Sequence, residues 1–200
     1  MTTVTGYIKD KNKNPIGNAR VALLNNRFEV EFSAESDENG YYSLKADAKT
    51  YPYFMAVKEY KTNFLEYWSY NVRVNQDVVI NPKIDRLSIL ALTFFPSMDA
   101  DEVPSIMVYF RPMSLTMFMA GERDIAPDIN TEDITVSING EFCEIFQLKK
   151  IREIQKKGVE PIKAYAIKLI GKDLIFNGEN VLEVSATDKN GDYGEASLFF

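Results

Sequence analysis

The nine residues FEVEFSAES, at positions 28 to 36, constrain the fold more than any other stretch of the chain. Apolar and polar side chains alternate there, and this period of two places Phe28, Val30 and Phe32 on one face of an extended strand. A half-buried antiparallel strand requires such a pattern. The Asn-Gly pair at positions 39 and 40 tolerates positive φ and predicts a hairpin turn into YYSLKA.

Short strand patterns separated by turn residues continue along the rest of the chain. A second Asn-Gly pair, at positions 139 and 140, follows the alternating stretch DITVSI. No segment has a long helical period, and LKKIREIQKKG at 148–158 fits either two helical turns or a charged β-hairpin. The chain is therefore predicted to be all-β.

The charge balance changes near Pro82, which ends a strand-like run. Residues 1–84 contain 11 Lys and Arg against 10 Asp and Glu, whereas residues 85–200 contain 12 against 19. A boundary at 82–86 would divide the chain into two units, each long enough to bury its own core. We expect two domains, at residues 1–84 and 85–200.

The stretch VTGYIKDKNKNPIGNARVALLNN, followed by ESDENGYYSL and YFMAVKEY, resembles the carboxypeptidase regulatory-like domain, a transthyretin-like β-sandwich. The resemblance covers residues 2–84. The residues at the family's pattern positions are Gly6, Pro15, Gly17, Ala19, Val21, Asp37, Gly40 and Tyr41. This chain departs from the family after Tyr60, where KTNFLEYWSYNVRVN replaces the short loop that we expect there.

The end of the chain, IFNGENVLEVSATDKNGDYGEASLFF, is similar to the final hairpin of bacterial immunoglobulin-like sandwich domains. The pattern residues are Gly178, Asn180, Leu182, Val184, Ala186, Asp188 and Gly191. Together the two resemblances imply two consecutive antiparallel β-sandwich domains. They also imply an extracytoplasmic bacterial module, periplasmic, surface-bound or secreted, although the amino terminus lacks the layout of a secretory signal.

The composition excludes several kinds of chemistry. Histidine is absent and Cys143 is the single cysteine, so nucleophile pairs with histidine, imidazole zinc sites and internal disulfides are impossible. The formal charge of −6 and the lack of a basic stripe argue against nucleic acid. No apolar run reaches the roughly 20 residues of a membrane span. We predict no catalytic residues, no cofactor and no metal.

The stretch FLEYWSY, at positions 64 to 70, supplies the candidate ligand-binding residues Tyr67, Trp68 and Tyr70. In a strand, Trp68 and Tyr70 would share an apolar face with Val72 and Val74, directed at a core or at the second domain. Tyr67 would then be the exposed ring. A ring that stacks on sugars would instead be exposed and coplanar with a neighbour. Glu66 falls on the apolar side and needs a partner such as Arg86 or a backbone amide.

Leu115, Met117 and Met119 form a candidate partner surface, because they share one face if that segment is extended. The leading hypothesis is a non-enzymatic binding or structural module that acts through protein contacts, with a protein or a polysaccharide as its unidentified partner. The first alternative is a carbohydrate-binding module that uses exposed aromatic rings. The second is a hydrolase based on the carboxylates between residues 99 and 133.

Overall fold

The computed structural model describes residues 1–98, 104–154, 160–170 and 180–200, and confirms the all-β prediction. The strands are β1 (Thr2–Tyr7), β2 (Arg20–Leu24), β3 (Val30–Glu35), β4 (Tyr41–Ala46), β5 (Thr50–Val57), β6 (Tyr67–Arg73), β7 (Val78–Val79), β8 (Leu87–Met98), β9 (Pro104–Ser114), β10 (Ile134–Ile138), β11 (Glu141–Phe142), β12 (Ile145–Glu153), β13 (Ile162–Ile170), β14 (Val181–Thr187) and β15 (Tyr193–Phe199). The helical elements are α1 (Leu115–Met119) and a 3-10 turn (Thr131–Asp133). Within the described ranges, no helix is both long and apolar enough to cross a membrane.

The first sandwich packs the three-stranded sheet β4-β1-β7 against strands β3, β2, β5 and β6. Its buried cluster is drawn from residues 4–84 and includes the fully buried rings of Tyr42 and Phe54. Gly6 allows β1 to approach the chain that follows β7, because a Cβ at this position would lie 1.8 Å from the Ile80 carbonyl oxygen. This close approach explains a glycine inside a strand.

The Asn-Gly turn at residues 39 and 40 forms, but the hairpin predicted for it is wrong. Gly40 has φ +76°, and the Asp37 carboxylate accepts hydrogen bonds from the backbone N–H groups of Asn39 and Tyr41. However, β3 pairs with β2 in the large sheet, whereas β4 pairs with β1 in the small one. The turn therefore carries the chain from one layer of the sandwich to the other.

A β-bulge interrupts the alternation of FEVEF. Leu23 pairs with Phe32 and Leu24 pairs with Val30, so one residue of β3 is extra and the faces of the strand exchange there. Phe32 packs against the first core, whereas Phe28 precedes the strand at φ +61° and is 57% exposed. The predicted common face of Phe28, Val30 and Phe32 is therefore wrong.

The second sandwich packs the sheet β12-β13-β9-β8 against strands β10, β14 and β15. Its buried cluster is drawn from residues 87–198. Residues 145–153 form strand β12 and pair with β13, so the described part of LKKIREIQKKG is a strand, not a helix. The second Asn-Gly turn is confirmed, because Asn139 and Gly140 have φ of +54° and +81° and connect β10 to β11.

The two sandwiches share one eight-stranded sheet, with the order β11-β10-β14-β15-β6-β5-β2-β3. Strand β15 pairs in parallel with β6, placing Ala196 opposite Trp68 and Ser197 opposite Ser69. Residues that pair across neighbouring strands lie on the same face of a sheet. Ala196 belongs to the second core, whereas Tyr67, on the alternate face, belongs to the first. The two smaller sheets therefore cover opposite faces of the shared sheet.

This offset leaves half of each face without a covering sheet. The three-stranded sheet leaves β10, β14 and β15 open on one face, and the four-stranded sheet leaves β2, β3, β5 and the start of β6 open on the other. The division into domains at residue 84 stays a prediction, because strand pairing continues across it.

Candidate functional site

A groove, here called the junction groove, lies where the three-stranded sheet ends and the open face of β10, β14 and β15 begins. Its volume is about 330 Å³. Residues 78–81, which comprise β7 and the two residues after it, line one wall. Alternate side chains of β10, β14 and β15 form the floor. Both sandwiches therefore contribute to this groove.

Polar side chains cross the floor in two rows of cross-strand neighbours. The first row consists of Ser137, Glu183, Ser197 and Ser69, and the second of Thr135, Ser185 and Glu195. In the first row, Ser137 Oγ donates a hydrogen bond to Glu183 Oε2 at 3.0 Å. Since Glu183 is exposed, its carboxylate can accept further hydrogen bonds from a ligand.

Glu195 is held in place by three hydrogen bonds. Its carboxylate accepts the backbone N–H of Lys83 at 2.8 Å, the Lys83 ammonium at 2.9 Å and the Tyr193 hydroxyl at 2.5 Å. The ion pair with Lys83 connects β15 to the segment that follows β7. These contacts fix one wall of the groove and neutralise this carboxylate.

Three buried hydroxyl groups form the inner end of the floor. Ser197 Oγ lies 2.8 Å from the Tyr67 hydroxyl and 2.6 Å from Ser69 Oγ. Burial, followed by the charge of Glu195, raises the pKa of Tyr67 well above its ordinary value. The same two causes raise the pKa of Tyr193. Both phenols therefore remain neutral hydrogen-bonding groups at physiological pH.

The rim of the groove is apolar. Phe142 is 83% exposed and Val79 is 68% exposed. Phe142 pairs with Ser137, so its ring lies on the same side of the sheet as the polar floor. The groove thus combines neutral hydroxyls, one exposed carboxylate and an exposed aromatic ring.

Except for Tyr67, the sequence interpretation missed these residues. The signal is the polar residue at every second position of EVSAT and YGEAS, which indicates a solvated face on two neighbouring strands. No local pattern indicates that Lys83 and Phe142 lie beside this face. Lys83 follows β7 and Phe142 belongs to β11, and both segments lie far from β14 and β15 in the sequence.

The predicted ligand-binding residues lie on two different faces of β6. The expectation of an exposed Tyr67 ring is wrong, since Tyr67 is 5% exposed and packs in the first core. Trp68 and Tyr70 are half-buried on the opposite face. Tyr70 packs against the second core and its hydroxyl accepts the Ala91 N–H at 2.9 Å. A role of Tyr67, Trp68 and Tyr70 in ligand binding stays a prediction.

Asn71 explains why the predicted faces of β6 are wrong. Its φ is +54°, and β6 directs Tyr67 into the first core before this residue but Val72 after it. A residue in the left-handed region interrupts the strict alternation of an extended strand. On β5, Pro52 lies between the residues that pair with Tyr70 and Val72, and it has no N–H group to donate to the ladder. Trp68 therefore does not share a face with Val72.

The Trp68 ring packs edge-on against two aromatic neighbours. It lies at 89° to Phe28 and at 82° to Tyr53, in each case with 6.2 Å between the ring centres. Phe28 itself stacks on Tyr53, with 4.4 Å between centres and 14° between planes. Trp68 is therefore not coplanar with a neighbour, and Phe28 is the exposed ring of this cluster.

Glu66 does not pair with Arg86, contrary to the expectation from sequence. Arg86 Nε donates to Thr116 Oγ1 at 3.3 Å and lies 3.7 Å from Asp192 Oδ1. Glu66 Oε2 is buried and has no hydrogen-bond partner among the described residues.

The candidate partner surface at residues 115–119 is not extended, so its predicted common face is wrong. These residues form α1, with Ser114 capping the Met117 N–H. Leu115 is fully buried, Met117 is half-buried and Met119 is 60% exposed. In a helix, Met117 lies two residues after Leu115 and so on the opposite side, whereas Met119, four residues after Leu115, lies on the same side. The three side chains therefore do not form one strip. Their role in partner binding stays a prediction.

Some of the candidate carboxylates between residues 99 and 133 lie outside the described residues, and others form ion pairs. Asp99, Asp101 and Glu102 lie outside the described residues. Asp128 pairs with Lys163 at 3.2 Å and Asp124 lies 3.7 Å from Arg152, so both are engaged in ion pairs. Across the described part of the chain, no cluster of three or more acidic or cysteine side chains is arranged to hold a metal ion.

Comparison with known proteins gives only remote likeness. No family model and no curated protein matches the sequence, so both family resemblances stay predictions. Among solved structures, BcpA, the major pilin subunit of Bacillus cereus, is 12% identical with a TM-score of 0.32, over 98% of this chain and 67% of that one. The full-length major pilin SpaD from Corynebacterium diphtheriae is 10% identical with a TM-score of 0.30, over 98% and 64%. TM-scores this low establish neither a shared fold nor a shared function.

Proposed function

We propose that this chain is a non-enzymatic binding module of an extracytoplasmic bacterial system, and that the junction groove binds a glycan. The observation that carries the proposal is the pair of polar rows on the open face of β10, β14 and β15, beside the exposed Phe142 ring. The extracytoplasmic location follows from the family resemblances of the sequence.

The chemistry of the groove matches that of a sugar. A sugar presents several hydroxyl groups, each of which is both donor and acceptor, and apolar C–H faces on its ring. Exposed Glu183 offers acceptor positions, Tyr193 and Ser185 offer neutral hydroxyls, and Phe142 offers an apolar ring. The groove is open to solvent along the sheet, which suits a chain of sugars.

A binding role fits the groove better than catalysis. The Glu195 carboxylate is committed to three donors, two of them from Lys83. A carboxylate that acts as acid or base must exchange protons with a substrate, and this ion pair would have to break first.

A glycan array followed by calorimetric titration tests the proposal. For a glycan that binds, Phe142→Ala should lower the affinity about threefold to tenfold, the effect of losing one aromatic contact. Glu183→Gln should also weaken binding, because the amide offers one acceptor oxygen instead of two. Phe146→Ala is the matched control, since Phe146 is 67% exposed on β12 and lies outside the groove.

Three results would count against this assignment. If no glycan on the array bound, the proposal that the ligand is a glycan would be wrong. If Phe142→Ala and Phe146→Ala lost affinity equally, the assignment of binding to the junction groove would be wrong. Loss of affinity in Trp68→Phe alone would move the site to the opposite face of the sheet.

A partner protein that adds a strand to β7 is a second candidate function. Ile80 donates its N–H to the Thr5 carbonyl at 2.9 Å, so by strand alternation the N–H and C=O of Val79 point away from β1. An unpaired edge of this kind can bind an extended peptide. Phe142→Ala would not distinguish a glycan from a peptide. Val79→Pro would, because it removes the Val79 N–H and should weaken the binding of a peptide but not of a glycan.

A further inference from the structure

The open face on the other side of the shared sheet contains a second cavity. It has a volume of about 280 Å³ and is lined by Met55, Val57, Tyr60, Glu66 and Trp68. Here it is called the Trp68 cavity. It shares no lining residue with the junction groove, so the two sites can be tested separately.

The Trp68 cavity contains a half-buried carboxylate, which also forms a side-chain hydrogen bond with Tyr60. Glu66 Oε2 and Trp68 Nε1 are buried, and neither has a hydrogen-bond partner among the described residues. Neither atom is accessible from solvent, and the other cavity walls are the apolar or aromatic side chains of Met55, Val57 and Tyr60. A carboxylate oxygen that is removed from water without a hydrogen-bond partner costs free energy, so a cation held nearby would stabilise this side chain.

The aromatic walls favour a cation as well. Phe28 and Tyr53 hold the Trp68 ring by edge contacts, so its position is fixed by packing. The faces of Trp and Tyr rings carry negative potential and attract ammonium groups. The Lys61 ammonium lies 5.1 Å from the centre of the Tyr60 ring and 5.4 Å from that of Phe118. An aromatic ring of this cavity thus already attracts a cation.

We propose that the Trp68 cavity binds a quaternary ammonium group. A primary ammonium would lose its hydrogen bonds to water on entry, because no accessible acceptor lines the cavity. A quaternary ammonium has no N–H group to satisfy, and its methyl groups contact apolar walls favourably. The positive charge of the ligand is then attracted to the Glu66 carboxylate without direct contact, and to the ring faces of Trp68 and Tyr60.

Choline and its uncharged carbon isostere, 3,3-dimethylbutan-1-ol, test the charge requirement on the unmodified protein. Trp68 is the chain's only tryptophan, so its fluorescence reports directly on this cavity. Choline should give a saturable change in emission, and the isostere should bind about tenfold more weakly, which corresponds to about 1.4 kcal/mol. No saturable response to choline, or equal affinity for the two compounds, would overturn the proposal.

Two variants locate the response. Glu66→Gln keeps the size of the side chain but removes its charge, and should weaken choline binding about tenfold while leaving the isostere unaffected. Glu183→Gln is the matched control, because this carboxylate lies in the junction groove and should leave choline binding unchanged. If Glu183→Gln weakened choline binding as much as Glu66→Gln, the assignment to this cavity would be wrong. The measurement does not depend on the glycan, so failure here leaves the proposed function standing.

Discussion

Replacing Ser197 with alanine should destabilise both sandwiches at once. The Ser197 hydroxyl contacts the Tyr67 hydroxyl at 2.8 Å and Ser69 Oγ at 2.6 Å, and all three residues are at most 5% exposed. Ser197→Ala removes both hydrogen bonds and leaves two buried hydroxyls without their partner. Each such group costs about 1–3 kcal/mol, so the free energy of unfolding should fall by about 2–6 kcal/mol.

Tyr67→Phe provides the comparison, because it removes one hydroxyl and leaves Ser197 bonded to Ser69. We expect this variant to lose only about 1 kcal/mol. In the double variant, only Ser69 remains without a partner. The combined loss should therefore be smaller than the sum of the single losses, with a coupling of about 1 kcal/mol or more.

Urea unfolding followed by circular dichroism measures all three variants, and Ser33→Ala on β3 serves as the exposed control. For a chain of this length, the Ser197→Ala loss corresponds to a fall in Tm of about 4–24 °C. The reasoning is refuted if Ser197→Ala changes the free energy of unfolding by less than about 0.5 kcal/mol, the range of an ordinary surface substitution. Strict additivity in the double variant would refute the shared hydroxyl network.

Three further outcomes follow from the structure. Limited proteolysis should not divide the chain at 82–86, because most of this segment is buried, and rapid cleavage into two stable halves would contradict a fixed junction. Gly6→Ala should abolish the native fold in thermal melts, since its Cβ would lie 1.8 Å from the Ile80 oxygen, and a normal Tm would show that the strands can separate. Burial raises the pKa of Tyr70 and Tyr165 to about 12. The unfolded chain then binds fewer protons above pH 10.0, so stability should fall from pH 10.0 toward 12, which absorbance at 295 nm during alkaline unfolding can check.

The sequence predicted the fold class because strand alternation and turn chemistry are local properties. The Asn139-Gly140 hairpin is confirmed because both residues adopt the positive φ that the pair tolerates. The turn at Asn39 and Gly40 has the same dipeptide, yet it connects two sheets. Turn chemistry fixes a reversal of the chain, whereas the partner of each strand depends on contacts that are distant in sequence.

Face assignments failed at two points where the backbone departs from regular extension. The extra residue in β3 separates Phe32 from Val30, and Asn71 separates Trp68 from Val72. In each case, a single irregular residue inverts every side chain beyond it, because the period of a strand is two. Assigning faces by counting alternate residues is therefore valid only within a segment that contains no such irregular residue. The sequence pattern does not indicate where the irregular residues lie.

The position of the candidate site could not be predicted for a related reason. The groove exists because β15 pairs with β6 and the two covering sheets lie on opposite faces. The polar face of β14 and β15 can be read from alternate residues, but its wall comes from β7, about a hundred residues earlier in the chain. Only the tertiary pairing brings these parts together.

Asp85 explains how a short connection places the two covering sheets on opposite faces. It is 7% exposed, and its carboxylate accepts the Tyr193 N–H at 2.9 Å and lies 3.1 Å from the Lys11 ammonium. Its backbone carbonyl accepts the Leu65 N–H at 2.8 Å. Asp85 thus contacts the start of β15 and the chain just before β6, which are the two strands of the parallel pair. The chain crosses from one face of the shared sheet to the other at this residue. Because of this crossing, the junction groove and the Trp68 cavity lie on opposite sides of the sheet.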